Sequence, residues 1–284
     1  MTLKKFKIAQ VQMPVITDRK ACLDYLESAA SRCRAAGADL LALPEMFSCP
    51  YSTAAFPQYA QPQGGSLWSA CSAIAEKYQI WFSPGTMPEI DEKGNIFNTA
   101  YIFDRNGNQA AKHRKMHLFD IDVEGGQHFR ESDILSAGNS ITTFDTEFGT
   151  FGLAICYDIR FFELFRLMAL KDARFILVPA AFNMTTGPMH WELLFRSQAV
   201  GNQVFIAGTA PARNPEADYV SWGHSLIADP WGNVISRMDE KEAMQITEID
   251  LEETDRVREQ IPVLKHRRTD VYQLKEFLEQ EGLI

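Results

Sequence analysis

Cys156 stands where the apolar run Leu153-Ala154-Ile155 gives way to Tyr157-Asp158-Ile159-Arg160, the pattern of a strand ending at a turn into a helix. A thiol at such a turn is exposed at a sheet edge, near backbone N–H groups that lower its pKa and bind an oxyanion, so it is a candidate nucleophile. Its mechanics resemble those of the nucleophile elbow of serine hydrolases. The competing reading is a buried, inert cysteine, the commoner fate of a free thiol. Glu45 follows the apolar run LLALP. A carboxylate at a strand end in hydrophobic surroundings is a candidate base with a raised pKa, against the alternative of a solvated loop glutamate. Lys115 lies in KHRKMHLFD just after a strand-like segment, where a solvated basic edge is the alternative. His113 and His117 would face one metal only on a helix, and the flanking strands and lack of an HExxH pattern argue against a metal site. Glu131, in HFRESDILSAG, reads by itself as a surface residue.

Elements that could position these residues follow from periodicity. KIAQVQM opens as a strand, and a helix begins near Thr17 or Asp18, either of which caps its free amides. Cys22, Leu26, Ala29, Ala30 and Cys33 fall on one helical face, and Gly37 supplies the stop. DLLALPE reads as a buried strand ended by Pro44, and a second helix over about 65–79 leads to the strand IWFSPGT. IFNTAYIFDRNGNQAAKH reads as a hairpin with Asn106 and Gly107 as turn residues tolerating positive φ, and ITTFDTEFGTFGLAICYD as another running into Cys156. Helices near 161–171 and 188–201 then alternate with RFILVPA and QVFIAGTA, before a last hairpin turning at DPWGN. Strands alternate with helices, but hairpins are interleaved. An α/β four-layer α-β-β-α sandwich, with two mixed sheets face to face and helices outside, explains this better than a parallel Rossmann sheet.

Composition bounds the rest. The 284 residues are 46% hydrophobic and 23% charged, within the range of a soluble globular protein. Without a linker, low-complexity tract or repeat, residues 1–284 read as one domain, with 262–284 as a C-terminal extension packing on the domain or on a dimer partner. A net charge of −9 argues against a nucleic-acid partner. The opening residues lack a signal peptide's apolar core, and no run approaches ~18 apolar residues, so neither export nor a membrane is expected. Five cysteines, an odd number with no CxxC pair, suit the reducing cytoplasm better than a disulfide frame or zinc ribbon.

Taken together, LALPEMF with Glu45, KHRKMHLFD with Lys115 and GLAICYDIRFFEL with Cys156, in that order, resemble the catalytic signature of the nitrilase (carbon–nitrogen hydrolase) superfamily. The resemblance runs from KIAQVQM to RRTDVYQL and is closest to the omega-amidase branch, carried there by AFNMTTGPMHWELLFRSQAVGNQVFIAGTAPAR, YVSWGHSLIADPWGNVI and QIPVLKHRRTDVY. It implies a nitrilase-like sandwich, and a supporting role for Glu131 in holding lysine and substrate. By the same resemblance, Glu45 takes the Cys156 thiol proton, and Lys115 with the Tyr157 N–H stabilises the tetrahedral oxyanion. A thioester forms, ammonia leaves and water hydrolyses the thioester. No metal or organic cofactor is required.

The implied substrates are small alpha-keto acid monoamides such as alpha-ketoglutaramate and alpha-ketosuccinamate. A deaminated glutathione amidase and an N-carbamoyl amine amidohydrolase are the alternatives, followed by a nitrilase proper and an inactive binding protein with the same fold. Asp158 and Arg160 read as an ion pair fixing the turn, with Arg160 also a candidate for a substrate carboxylate. Thr185 and Thr186, before a helix start, offer hydroxyls and free amides to the same carboxylate, against plain helix capping. Met184, Met189, Trp191 and Phe195 read as pocket wall and core. The sequence departs from the family at Phe162, where a proline is often found, and at FSCPY, where Cys49 stands near enough to Glu45 to line the pocket. Family members pair into homodimers through helices beside the nucleophile, so a second copy is the expected partner.

Overall fold

A computed structural model describes residues 4–277, so 278–284 of the expected C-terminal extension lie outside the described residues. The first strands are β1 (Lys5–Gln12), β2 (Leu40–Ala42), β3 (Trp81–Ser83), β4 (Thr86–Ile90), β5 (Ile96–Phe103) and β6 (Gln109–Arg114). A short hairpin, β7 (Asp120–Asp122) and β8 (His128–Arg130), precedes β9 (Thr142–Thr146), β10 (Gly149–Leu153), β11 (Phe175–Pro179) and β12 (Phe205–Thr209). The last strands are β13 (Leu226–Ala228), β14 (Val234–Arg237) and β15 (Ala243–Asp250). Helices are α1 (Arg19–Ala35), α2 (Phe56–Tyr59), α3 (Ser66–Tyr78), α4 (Phe162–Leu170), α5 (Gly187–Asn202) and α6 (Glu252–Gln260).

One sheet runs β15-β1-β2-β3-β5-β4 with β6 paired to β5, and the other runs β14-β13-β12-β11-β10-β9. Both are mixed, since β1 is parallel to β2 but antiparallel to β15, and β10 is parallel to β11 but antiparallel to β9. β1 shows why its sequence lacks polar alternation. Phe6 and Ile8 point into the core shared with the second sheet, whereas Ala9 and Val11 pack on the opposite face with α1 and α3. The apolar face of α1 is the expected one, Cys22, Leu26, Ala29, Ala30 and Cys33, and the Asp18 side chain accepts the Ala21 N–H at 2.8 Å. Outer helices α4 and α5 cover the second sheet through Phe165, Met168, Trp191 and Phe195. The result is the four-layer sandwich.

The two sheets are also joined by polar groups. The Gln12 amide nitrogen donates to the Asp239 and Lys241 carbonyls at 2.7 and 2.6 Å, while its oxygen accepts the Ser225 N–H at 2.9 Å and hydroxyl at 2.8 Å. All of this amide's hydrogen-bonding capacity is thus used inside the protein, as burial demands. At the β5–β6 turn only Gly107 takes a positive φ, 77°, and not Asn106. The Asp104 carboxylate instead holds the Asn106 and Asn108 N–H groups at 2.8 and 2.9 Å, an Asx turn that removes the need for a second left-handed residue. Beyond α6, Leu264 packs on the main core and Glu276 pairs with Lys171, so described residues of the C-terminal segment do contact the sandwich.

Candidate active site

Three segments end at the same place. Just past β2, Leu43 still bonds the Ser83 carbonyl at 2.9 Å, and Glu45 follows. The Gly85 backbone comes so close that a Cβ there would lie 1.8 Å from the Pro44 carbonyl oxygen, and its φ is 72°. Only glycine fits, which keeps the Pro44-Glu45 bend pressed against the start of β4. Past β6, the Lys115 N–H bonds the Asn98 carbonyl at 2.9 Å, so the lysine leaves from a fixed point on β5. Past β10, Cys156 opens a 3-10 turn, Cys156–Arg160, with φ at 43°. A non-glycine residue held there costs about 1–3 kcal/mol and needs its surroundings to enforce it.

Glu45, Lys115 and Glu131 are 0% exposed and Cys156 is 4% exposed. The Lys115 ammonium lies 3.1 Å from Glu45 Oε1, and 3.0 and 2.9 Å from the two oxygens of Glu131. Glu131, expected from its local sequence at the surface, opens a one-turn 3-10 helix after β8, and its Oε2 also accepts the Phe119 N–H at 2.7 Å. Glu45 Oε1 accepts the Asn98 side-chain amide at 2.8 Å, and its Oε2 accepts the Ala181 N–H at 2.9 Å. The Cys156 thiol lies close enough to the Glu45 carboxylate and to the Ala181 N–H for both to act on its ionisation.

Electrostatics sharpen these roles. Burial pushes Glu45 above the usual carboxylate range, against the pull of Lys115. Burial works against the Lys115 charge, but Glu131 and Glu45 outweigh it and hold the ammonium above its ordinary pKa. Burial and then the Glu45 charge raise Cys156 well above an ordinary thiol, and Lys115 and the Ala181 N–H only partly offset this. The expected lowering of the thiol pKa by turn amides is therefore overturned. Desolvation wins at this depth, so the thiol holds its proton until a neighbouring base removes it.

Tyr51 was not among the sequence candidates. Its hydroxyl is 2.6 Å from Glu131 Oε1 and 3.1 Å from Glu45 Oε1, and it accepts from Lys115 at 3.2 Å. A phenol has one proton for these two carboxylates, and the shorter contact to Glu131 takes it. Tyr51 stacks on Tyr219 at 4.5 Å between ring centres, and the Tyr219 hydroxyl donates to the Ala181 carbonyl at 2.5 Å. Ala181 is thus held through both its N–H and its carbonyl. Glu45, Tyr51, Ala181, Tyr219 and Ser221 line a cavity of about 340 Å³, whose wall also carries the exposed acids Glu216 and Asp218. That is the low end of ligand-pocket sizes, suited to a small molecule.

The remaining expectations divide. Arg160 does not pair with Asp158. Its Nη1 lies 3.2 Å from His190 Nδ1 and its guanidinium 5.2 Å from the Phe182 ring centre, close enough to Cys156 and Tyr219 for charge on either to act on it. Asp158 turns the other way and bonds His113 and His117, because those side chains come from the lysine segment packed against its buried face. Neither histidine is on a helix: His113 lies in β6 and His117 in the turn beyond it. Thr185 is exposed and Thr186 half-buried, and neither they nor Arg160 line the cavity. Nor does Thr186 cap α5 with its side chain; Asn183 Oδ1 accepts both its N–H, at 2.8 Å, and its hydroxyl, at 3.0 Å. Trp191 and Phe195 are core, but Met184 and Met189 are 42% and 73% exposed. Cys49 is buried with Met46, Phe56 and Leu135 and does not line the cavity, since its sulfur turns to the Pro50 carbonyl at 3.3 Å.

A buried thiol, carboxylate and ammonium at one end of a four-layer sandwich define the class, a thiol-dependent amidohydrolase. The chain belongs to the carbon–nitrogen hydrolase family, whose model matches residues 7–259. It is 44% identical to omega-amidase NIT2-A of Xenopus laevis over 279 residues, covering 96% of this chain and 99% of that protein. It is 41% identical to human omega-amidase NIT2 over 275 residues, covering 95% and 98%. Nit3 of Saccharomyces cerevisiae, a member of branch 10 of the nitrilase superfamily, superposes with a TM-score of 0.86 at 40% identity, over 93% of this chain and 97% of that one.

Replacing Tyr51 by phenylalanine removes the only hydroxyl that, among the described residues, is shared by Glu45, Lys115 and Glu131. The expected result is a fall in kcat of about tenfold and a stability loss of about 1 kcal/mol, read by amide turnover and urea unfolding. Wild-type kcat would show that the hydroxyl is dispensable.

Proposed function

We propose that the protein is an omega-amidase that hydrolyses the terminal amide of short alpha-keto acid monoamides, such as alpha-ketoglutaramate or alpha-ketosuccinamate, to the dicarboxylate and ammonia. The observation that carries this reading is the buried Cys156 thiol beside the Glu45–Lys115 ion pair, in a chain so similar to omega-amidases along its length.

Glu45 takes the thiol proton as sulfur attacks the amide carbon. Lys115 and the Tyr157 N–H hold the oxyanion, each donor contributing a few kcal/mol to the barrier's lowering. Lys115 already spends its protons on Glu45, Glu131 and Tyr51, and the contact to Tyr51, at 3.2 Å, is the longest and the readiest to be released to the oxyanion. Glu45 then passes its proton to the departing ammonia and activates water for thioester hydrolysis. Arg160, half-buried against Tyr157 and Phe182, takes the substrate carboxylate. Thr185 and Thr186 are given no part in this scheme, Thr185 being exposed and Thr186 tied to Asn183.

A second copy is the proposed partner. Met189, Leu193 and Val200 are 73%, 64% and 47% exposed on α5, and Trp231 adds to the patch at 46%.

Ammonia release should be fastest with the two keto acid amides, and Cys156→Ala should reduce it by more than about a thousandfold. Preferred turnover of deaminated glutathione or an N-carbamoyl amine would sink the substrate assignment, and survival of hydrolysis in Cys156→Ala would sink the mechanism. The acid limb of kcat/KM should have an apparent pKa above 4.5, because the base must be ionised and burial raises it. A limb at or below that value contradicts Glu45 as base. Leu193→Arg should shift the protein from dimer to monomer in sedimentation velocity, and an unchanged oligomer would exclude the α5 face.

A further inference from the structure

Asp158 is a buried carboxylate that the proposed chemistry does not use. Its Oδ2 accepts the Ile155 N–H at 3.0 Å and lies 3.1 Å from His113 Nε2. Its Oδ1 accepts the His117 N–H at 2.9 Å and lies 2.7 Å from His117 Nδ1. The chain positions are the telling part. Ile155 and Asp158 bracket Cys156, the residue with the left-handed φ, so one oxygen staples the turn across the strained nucleophile. His113 and His117 bracket Lys115, each two residues away, so the same carboxylate grips the segment that delivers the ammonium.

Each grip is backed from behind. His113 Nδ1 lies 3.0 Å from the Thr142 hydroxyl of β9, and the His117 ring stacks on Phe161 at 3.6 Å with the planes 9° apart. An ionised carboxylate with donors on both oxygens is well matched, and the two histidine contacts hold Asp158 well below the usual carboxylate range even though burial opposes this.

We propose that Asp158 is a positioning residue whose carboxylate ties the Cys156 turn to the Lys115 segment and so sets the thiol-to-ammonium geometry that attack requires. The proposal rests on the roles given above to Cys156 and Lys115. Misplacing reacting groups by about 1 Å costs about a hundredfold in rate, so a looser tie is felt in kcat before it is felt in binding.

The test is Asp158→Asn, which keeps the size but puts an amide nitrogen where one oxygen accepted. With the circular dichroism of the wild type, it should lose at least about tenfold in kcat and in the rate of Cys156 alkylation by iodoacetamide, while KM changes less than about threefold. A pair of substitutions in each histidine keeps the proposal testable should that variant not fold. His117→Ala and His113→Ala should lower kcat. His117→Asn, which returns an amide nitrogen near the Nδ1 position, and His113→Gln, near Nε2, should recover most of each loss. Wild-type kcat and alkylation in Asp158→Asn overturn the proposal. So does a loss in the alanine variants that only tracks the folded fraction and is not recovered by asparagine or glutamine. Alkylation needs no substrate, so a protein inert on every amide would overturn the function above while this readout still tests the tie.

Discussion

The Lys115 ammonium, wholly buried between the carboxylates of Glu45 and Glu131, is the constraint on which the rest of the structure depends. A charge taken from water into the protein costs several kcal/mol, and only close, well-oriented partners return it. Glu45 arrives from the end of β2, Lys115 from the end of β6 and Glu131 from the turn after β8. Those three segments must reach one point to within a few tenths of an ångström. Losing the ammonium of such a cluster costs about 3–5 kcal/mol, since two carboxylates are left buried and uncompensated. Folding and the site are thereby coupled.

The neighbouring features follow from this buried charge. Tyr51, Asn98 and the Ala181 N–H use the lone pairs that the lysine leaves over, as a buried carboxylate requires. Tyr219 holds the Ala181 carbonyl, so the cavity wall that touches Glu45 is built into the same network. Asp158 forms a second, smaller network behind the nucleophile, separate in its partners but joined to the first through the lysine segment.

Thiol acidity does not single out Cys156. Burial also pushes Cys22 up to about 11 and Cys33 and Cys49 up to about 12. Those three sit in apolar clusters, where a proton is simply kept. Cys156 differs in having the Glu45 carboxylate beside it, a base that burial has made stronger. What marks a reactive cysteine here is its neighbour.

The linear order of residues determined what acts over short range. The buried stripe and Asp18 cap of α1, the turn at Cys156, the two hairpins that precede it and the run that ends at Glu45 were all legible, because helical and strand periods and capping depend on residues a few places apart. Glu45, Lys115 and Cys156 were recognisable as a set through their order and resemblance, though each alone admitted a bland reading. Tertiary structure decided which side chains meet. Glu131 looked like a surface residue until β7 and β8 folded it onto Lys115. Tyr51, six residues beyond Glu45, had no local pattern to mark it, and Ala181 reaches Glu45 across 136 positions. Arg160 was nearest to Asp158 in sequence, yet the partners of Asp158 came from β6 and the turn after it, 45 and 41 positions away. Burial and pairing belong to the packed assembly, because desolvation is set by everything around a group, and spacing along the chain carries little of that information.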